Sequence, residues 1–177
     1  MSQKQQDKEE VYKSVLNAAI ELEIQLGHLK WTYTLLSKKS KVSRPLIYYY
    51  FGKEKINIVI EACNLFGQIL AGTTKERMQA WEDGNIEDML EQTRVLLSNY
   101  PYLTPYYFLY RNKDNEVGHL IRKYEQDGFT KRKKFFPKLN ASEQRIMFAF
   151  HLGLVTFPHI EGSDIKNACS FISKLTN

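Results

Sequence analysis

Two cysteines in 177 residues are too few for a disulfide framework. Cys63 and Cys169 each sit inside an apolar helical pattern with no metal-ligand spacing around them. Both read as buried thiols of a reducing compartment. Long apolar runs are missing too. The longest, Ile146 to Phe157, is interrupted by His151 and Thr156 and falls far short of the ~20 residues that span a bilayer. The segment from Gln3 to Glu10 is polar and carries no secretory signal, so a cytoplasmic protein is expected. Catalytic sets are equally absent. There is no Ser/His/Asp or Cys/His arrangement, no phosphate-cradling glycine loop and no close carboxylate pair with a helical rationale. His119 and His151 stand isolated and read as satisfied or solvated imidazoles. Neither an enzyme nor a metal or cofactor site is expected.

What is present is a chain rich enough in apolar residues, 43%, to bury an interior. Its net charge of +5 is unevenly spread. Residues 1–55 carry ten Lys/Arg against six Asp/Glu, residues 56–121 five against nine, and residues 122–138 seven against two. A basic N-terminal third beside an acidic middle is the pattern expected where one end faces a polyanion.

Strand signals are weak and helical periodicity recurs. Val11, Val15, Ala18/Ala19, Leu22 and Leu26 predict an amphipathic helix over about 8–26, ended by Gly27. Thr32 and Ser43 are N-cap candidates for two short helices, the second with Pro45 in its first turn, where a missing N–H costs nothing. Ile56, Val59/Ile60, Cys63, Phe66 and Leu70 predict a fourth helix to about Thr73, and Ile86 to Leu97 a fifth. Pro101 and Pro105 break the following stretch into short pieces. Val117 to Tyr124 starts a helix that runs into Lys131–Lys134 and stops by Pro137. Asn140 and Glu143 form a cap pair for a helix reaching Phe157, and Ile165 to Leu175 marks the last. The expectation is an all-α fold of eight to nine helices. Residues 1–53 form a three-helix head and residues 54–177 a helical bundle.

The densest signal is Thr32 to Phe51, TYTLLSKKSKVSRPLIYYYF. A helix as short as its second half is held only by its neighbours. Ile47 and Phe51, one turn apart, face the core with Tyr50 at its edge, which leaves Arg44, Leu46, Tyr48 and Tyr49 outward. A DNA major groove admits one α-helix whose first residues reach base edges. Arg44 suits guanine O6 and N7, and Leu46 a thymine methyl. The hydroxyls of Ser43, Tyr48 and Tyr49, with Lys53 and Lys55, suit phosphates, which position without specifying.

These residues, in register, resemble the DNA-binding domain of the TetR family: Val15 to Leu22, Leu26-Gly27, Thr32, Val42-Ser43 and Tyr48 to Phe51. The resemblance covers roughly residues 11–60. It implies a three-helix DNA-binding head with Thr32, Ser43, Arg44, Pro45, Leu46, Tyr48, Tyr49, Lys53 and Lys55 at the DNA. It also implies an all-helical ligand and dimer domain, and repression of an operator relieved by a small molecule. Two departures stand out. Ser40 and Lys41 occupy the turn where the family usually has alanine and glycine. The joint after the third helix reads Phe51-Gly52-Lys53-Glu54-Lys55, with Glu54 at the usual lysine position.

For the second half, Tyr100, Tyr102, Tyr106, Tyr107 and Tyr110, joined by Phe66, Trp81 and Phe148, are candidates to line a pocket for a small hydrophobic effector. Ile146–Phe157 is apolar on nearly every face, so a second subunit is expected to supply one covering layer. Phe150, Gly153, Leu154 and Phe157, with Ala168, Ile172 and Leu175 of the last helix, form the expected homodimer contact. Two alternatives compete. One is a DNA-binding protein of the same fold controlled by a protein partner. The other is a helical enzyme or scaffold without DNA binding, in which Arg44 and Tyr49 would be buried.

Overall fold

The computed structural model describes residues 3–69, 79, 80, 83, 85–134 and 136–176, apart from the side chains of residues 3–6, 132 and 173–176. Among the described residues the chain is all-helical, with α1 (Gln3–Leu26), α2 (Tyr33–Ser40), α3 (Arg44–Phe51), α4 (Lys55–Ile69), α5 (Ile86–Ser98), α6 (Leu103–Tyr110), α7 (Glu116–Lys133), α8 (Ala141–Thr156) and α9 (Gly162–Thr176). No helix among them is long and apolar enough to cross a membrane. The expected end of α4 at Leu70–Thr73 lies outside the described residues, as do Trp81 and the side chain of Leu175.

The chain divides into two compact units, Met1–Phe66 with Asn99–Ile121, and Gly67–Ser98 with Arg122–Asn177. This division differs from a split at residue 53. The reason is α6, which returns to pack on α1 and brings Tyr106, Tyr107 and Tyr110 into the first unit's core. Pro105 is the third residue of α6, inside the first turn, so it starts this helix rather than breaking it.

In the first unit α1 buries Val15, Leu16, Ala19, Ile20 and Leu22. α2 and α3 add Leu36, Ile47 and Phe51, and α4 adds Ile58, Val59, Ala62, Cys63 and Phe66. Glu23 on α1 is a carboxylate only 1% exposed. Its oxygens accept hydrogen bonds from the Trp31 indole at 2.6 Å and the Leu29 backbone N–H at 2.8 Å, and one pairs with the His28 ring at 2.9 Å. These bonds satisfy a charge that burial would otherwise penalise heavily. They also hold the α1–α2 turn, in which Gly27 (φ 91) and Leu29 (φ 56) both take left-handed backbone conformations.

In the second unit α5 packs on α8 and α9. Arg94 on α5 donates to the carbonyls of Leu154 and Ile160, tying down the end of α8. The α8 start is the expected reciprocal cap. Asn140 Oδ1 accepts from the N–H groups of Ser142 and Glu143 at 2.8 and 3.1 Å, and Glu143 accepts from the Asn140 N–H at 2.7 Å. Phe136, Met147 and Ile172 form a core cluster with Ile86, Leu139 and Phe150 packed against it.

Candidate nucleic-acid interface

Why α3 is placed as it is follows from two anchors. Ile47 and Phe51 are buried at 0% and 4% exposure, which fixes the rotation of an eight-residue helix that could not stand alone. Phe51 packs against the ring of Tyr12 with centroids 4.6 Å apart. The helix starts at Ser43, whose backbone is extended and whose hydroxyl makes no cap hydrogen bond. Pro45 sits in the first turn. It ends at Gly52 (φ 78), whose N–H returns to the Tyr48 carbonyl.

With those two faces fixed, Arg44, Pro45 and Leu46 are exposed and Tyr49 is 77% exposed. Tyr48 is half-buried instead of fully outward, because its ring meets Tyr33 edge-on at 4.7 Å. Among the described residues Arg44, Lys38, Lys41 and Lys53 take part in no ion pair. Lys39 differs, pairing with Glu21 at 2.7 Å. Thr32 caps α2, its hydroxyl accepting from the Leu35 N–H at 3.2 Å, and remains exposed.

The two lysines beyond α3 part company. Lys53 is exposed. Lys55 donates to the Leu29 carbonyl at 2.8 Å and lies over the Trp31 ring at 5.4 Å, so its ammonium braces the α1–α2 turn.

The turn between α2 and α3 carries the two unusual residues. Lys41 takes the left-handed conformation (φ 58) that glycine adopts without penalty, at a cost of about 1 kcal/mol. Ser40 offsets part of that cost. Its hydroxyl accepts from the Val42 N–H at 3.3 Å, while Ser37 donates to the Val42 carbonyl at 2.7 Å. An alanine at position 40 could make no such bond.

The aromatic residues expected around a pocket are dispersed. Phe66 stacks on Tyr107 (4.7 Å, 13°), Tyr106 tilts against Tyr110 at 4.5 Å, and all four are buried. Tyr102 is tied to Glu21, and that hydrogen bond raises its phenol pKa. Tyr100 is half-buried. Phe148 belongs to the second unit, edge-on to Phe129 at 5.2 Å. Tyr106, Tyr107 and Tyr110 thus fill a core, and among the described residues none of the five tyrosines lines the groove bounded by Ile146, Phe150 and Phe171 or the one bounded by Phe129, Lys133 and Arg145.

The core also quenches the chemistry of Cys63. Burial pushes its thiol up to about 12, against a Tyr106 hydroxyl that burial likewise raises. Burial raises the Tyr110 phenol too. These groups are held neutral, so their contribution to stability is fully present below the unfolded thiol value of 9.0. It is lost as pH rises through 9.0 and 10.0 toward the folded values. The urea midpoint should therefore hold steady from pH 7 to 8 and fall by pH 10 to 11. At pH 8 a disulfide-exchange reagent should label the half-buried Cys169 promptly and Cys63 only at the rate of unfolding. Equal labelling rates for the two thiols would contradict this burial.

Of the residues expected at a subunit contact, Leu154, Ala168 and Ile172 face inward. Their apolar positions serve the α5–α8–α9 packing within one chain. Gly153 and Phe157 are exposed and Phe150 half-buried. Ile146 (65% exposed) and Phe171 (53%) extend the same bare face, and a Cβ at Gly153 would meet nothing within 4 Å. Phe171 escaped the periodicity reading because it lies one step off the buried Ala168–Ile172 stripe. Glu23 escaped it as well, although an acid between Leu22 and Leu26 on an otherwise apolar face was a visible signal.

Among the described residues no cluster of His, Cys, Asp or Glu could hold a metal. His119 pairs with Asp114 at 2.9 Å on the surface and His151 is buried. Comparison of the chain with family models, curated proteins and solved structures finds no match.

Proposed function

We propose that this chain is a homodimeric, TetR-like DNA-binding transcriptional regulator, a repressor that reads its operator with α3. One observation carries the reading: α3 is anchored by Ile47 and Phe51 and turns Arg44, Leu46 and Tyr49 to solvent, with no acid among the described residues paired to Arg44. A short helix with a bare, arginine-led outer face has the form that enters a major groove. The exposed Lys38, Lys41 and Lys53 add phosphate-directed charge. Burial of Arg44 and Tyr49 would have favoured a scaffold without DNA binding, and both are exposed, Tyr49 at 77%.

Selection of bound sequences from a random duplex pool, followed by a salt titration, tests the reading. A recovered two-fold symmetric site and steeply salt-dependent binding are expected. A pool that shows no enrichment removes the proposal.

Lys53 and Lys55 should separate cleanly. Lys53→Ala should weaken specific and random DNA alike and reduce the salt slope by about one unit. Lys55→Ala should lower the thermal midpoint by freeing the Leu29 carbonyl and uncovering Trp31. A slope change on Lys55→Ala with unchanged stability would reverse these assignments.

Control by a small effector belongs to the same proposal. A ligand that tilted the two heads of a dimer would misalign half-sites about one helical turn apart.

A further inference from the structure

The basic segment 122–138 lies outside α3, the proposed reading helix, and borders a groove of about 400 Å³ on the second unit. On α7, Gln126, Phe129, Thr130 and Lys133 recur at the three- and four-residue spacing that puts them on one helical face. Gln144 and Arg145, in the second turn of α8, form the opposite wall.

The floor is fixed. The Phe129 ring is held edge-on by Phe148, Gln144 is 7% exposed and donates to the Phe136 carbonyl at 2.8 Å, and Thr130 donates to the Gln126 carbonyl at 3.0 Å. The rim is charged and uncompensated. Lys133 and Arg145 are exposed, neither has an ion pair or hydrogen bond among the described residues, and no carboxylate lines the groove.

We infer that this groove binds an amphiphilic oxyanion: a hydrocarbon body laid on Phe129, with a carboxylate or phosphate head between Lys133 and Arg145. An arginine fork matches the geometry of either head, and the volume falls within the ~300–1,000 Å³ of small-molecule sites. As the effector class of a DNA-binding regulator the inference rests on the function proposed above; as a binding site it does not.

Calorimetric titration of the full chain without DNA, using octanoate, octyl phosphate, octanamide and inorganic phosphate, tests it. Octanoate or octyl phosphate should bind, the better of the two naming the head. Octanamide and inorganic phosphate should bind at least about tenfold more weakly, the factor expected when a charge-assisted hydrogen bond or the apolar contact is lost. The double variant Lys133→Gln/Arg145→Gln should lose binding by a similar factor while keeping its thermal midpoint, since both side chains are exposed and unpaired. Octanamide binding as tightly as octanoate, inorganic phosphate binding as tightly as octyl phosphate, an undiminished double variant, or no binding of either amphiphile would each overturn the site. None of these results depends on DNA, so the site and the DNA reading fail separately.

Discussion

Arg44→Ala should cost about 1–3 kcal/mol per half-site on the selected operator, hence about 2–6 kcal/mol for a dimer that places one arginine in each. The residue opens α3, and the Ile47–Phe51 anchor leaves its side chain exposed. Pro45 fixes the backbone immediately after it. Because no acid partner among the described residues is stranded by its removal, folding stability should change by no more than about 0.5 kcal/mol. The loss should concentrate at one base pair per half-site, where the variant accepts all four bases more evenly. Fluorescence anisotropy on the selected duplex and on a scrambled one reads both effects. Equal losses on the two duplexes would reduce Arg44 to a phosphate contact. No loss on either would take α3 out of the interface.

The parts of this molecule that the sequence made legible are those governed by local rules. The caps at Thr32 and Asn140, the start of α3 after Ser43, the glycine stops and the Ile47–Phe51 anchor all depend on residues within a turn or two of one another. Periodicity accordingly placed most helices, with all-α as the class. What stayed hidden depends on which element meets which. Nothing near Tyr106 announces that α6 leaves its sequence neighbours and packs on α1, so that Tyr106, Tyr107 and Tyr110 fill a core. Likewise, an apolar position on α8 or α9 cannot tell from its own neighbourhood whether its own chain or another will cover it. Leu154 and Ile172 are covered by their own chain, while Ile146 and Phe171 are not. The roles of Lys53 and Lys55 were equally undecidable from spacing, because the partner that occupies Lys55 is a carbonyl twenty-six residues earlier.

Gly153→Leu should leave the single chain intact and abolish the dimer. Gly153 lies on the exposed side of α8, and a side chain there meets nothing within 4 Å of its Cβ. Replacing a glycine in the last turn of α8 with leucine also favours the helix, by at most about 0.8–1 kcal/mol, so the urea midpoint of the isolated chain should hold or rise. In the proposed two-fold contact the same glycine lets two α8 helices approach closely, amid Ile146, Phe157 and Phe171. A leucine on each helix would force them apart. Ile146→Asp makes an independent second variant, since a residue 65% exposed contributes little to its own chain's core but would bury an unpaired charge between two copies. A monomer holds one half-site, so operator affinity should fall by about 10²–10⁴ as avidity is lost, while weak, salt-sensitive binding to random DNA survives. Sedimentation at micromolar concentration decides the first step: wild type at twice 20.8 kDa, both variants at the single-chain mass. Wild type sedimenting as a monomer would remove the interface and the two-headed mechanism with it. Dimeric variants with full operator affinity would move the interface off this face of α8.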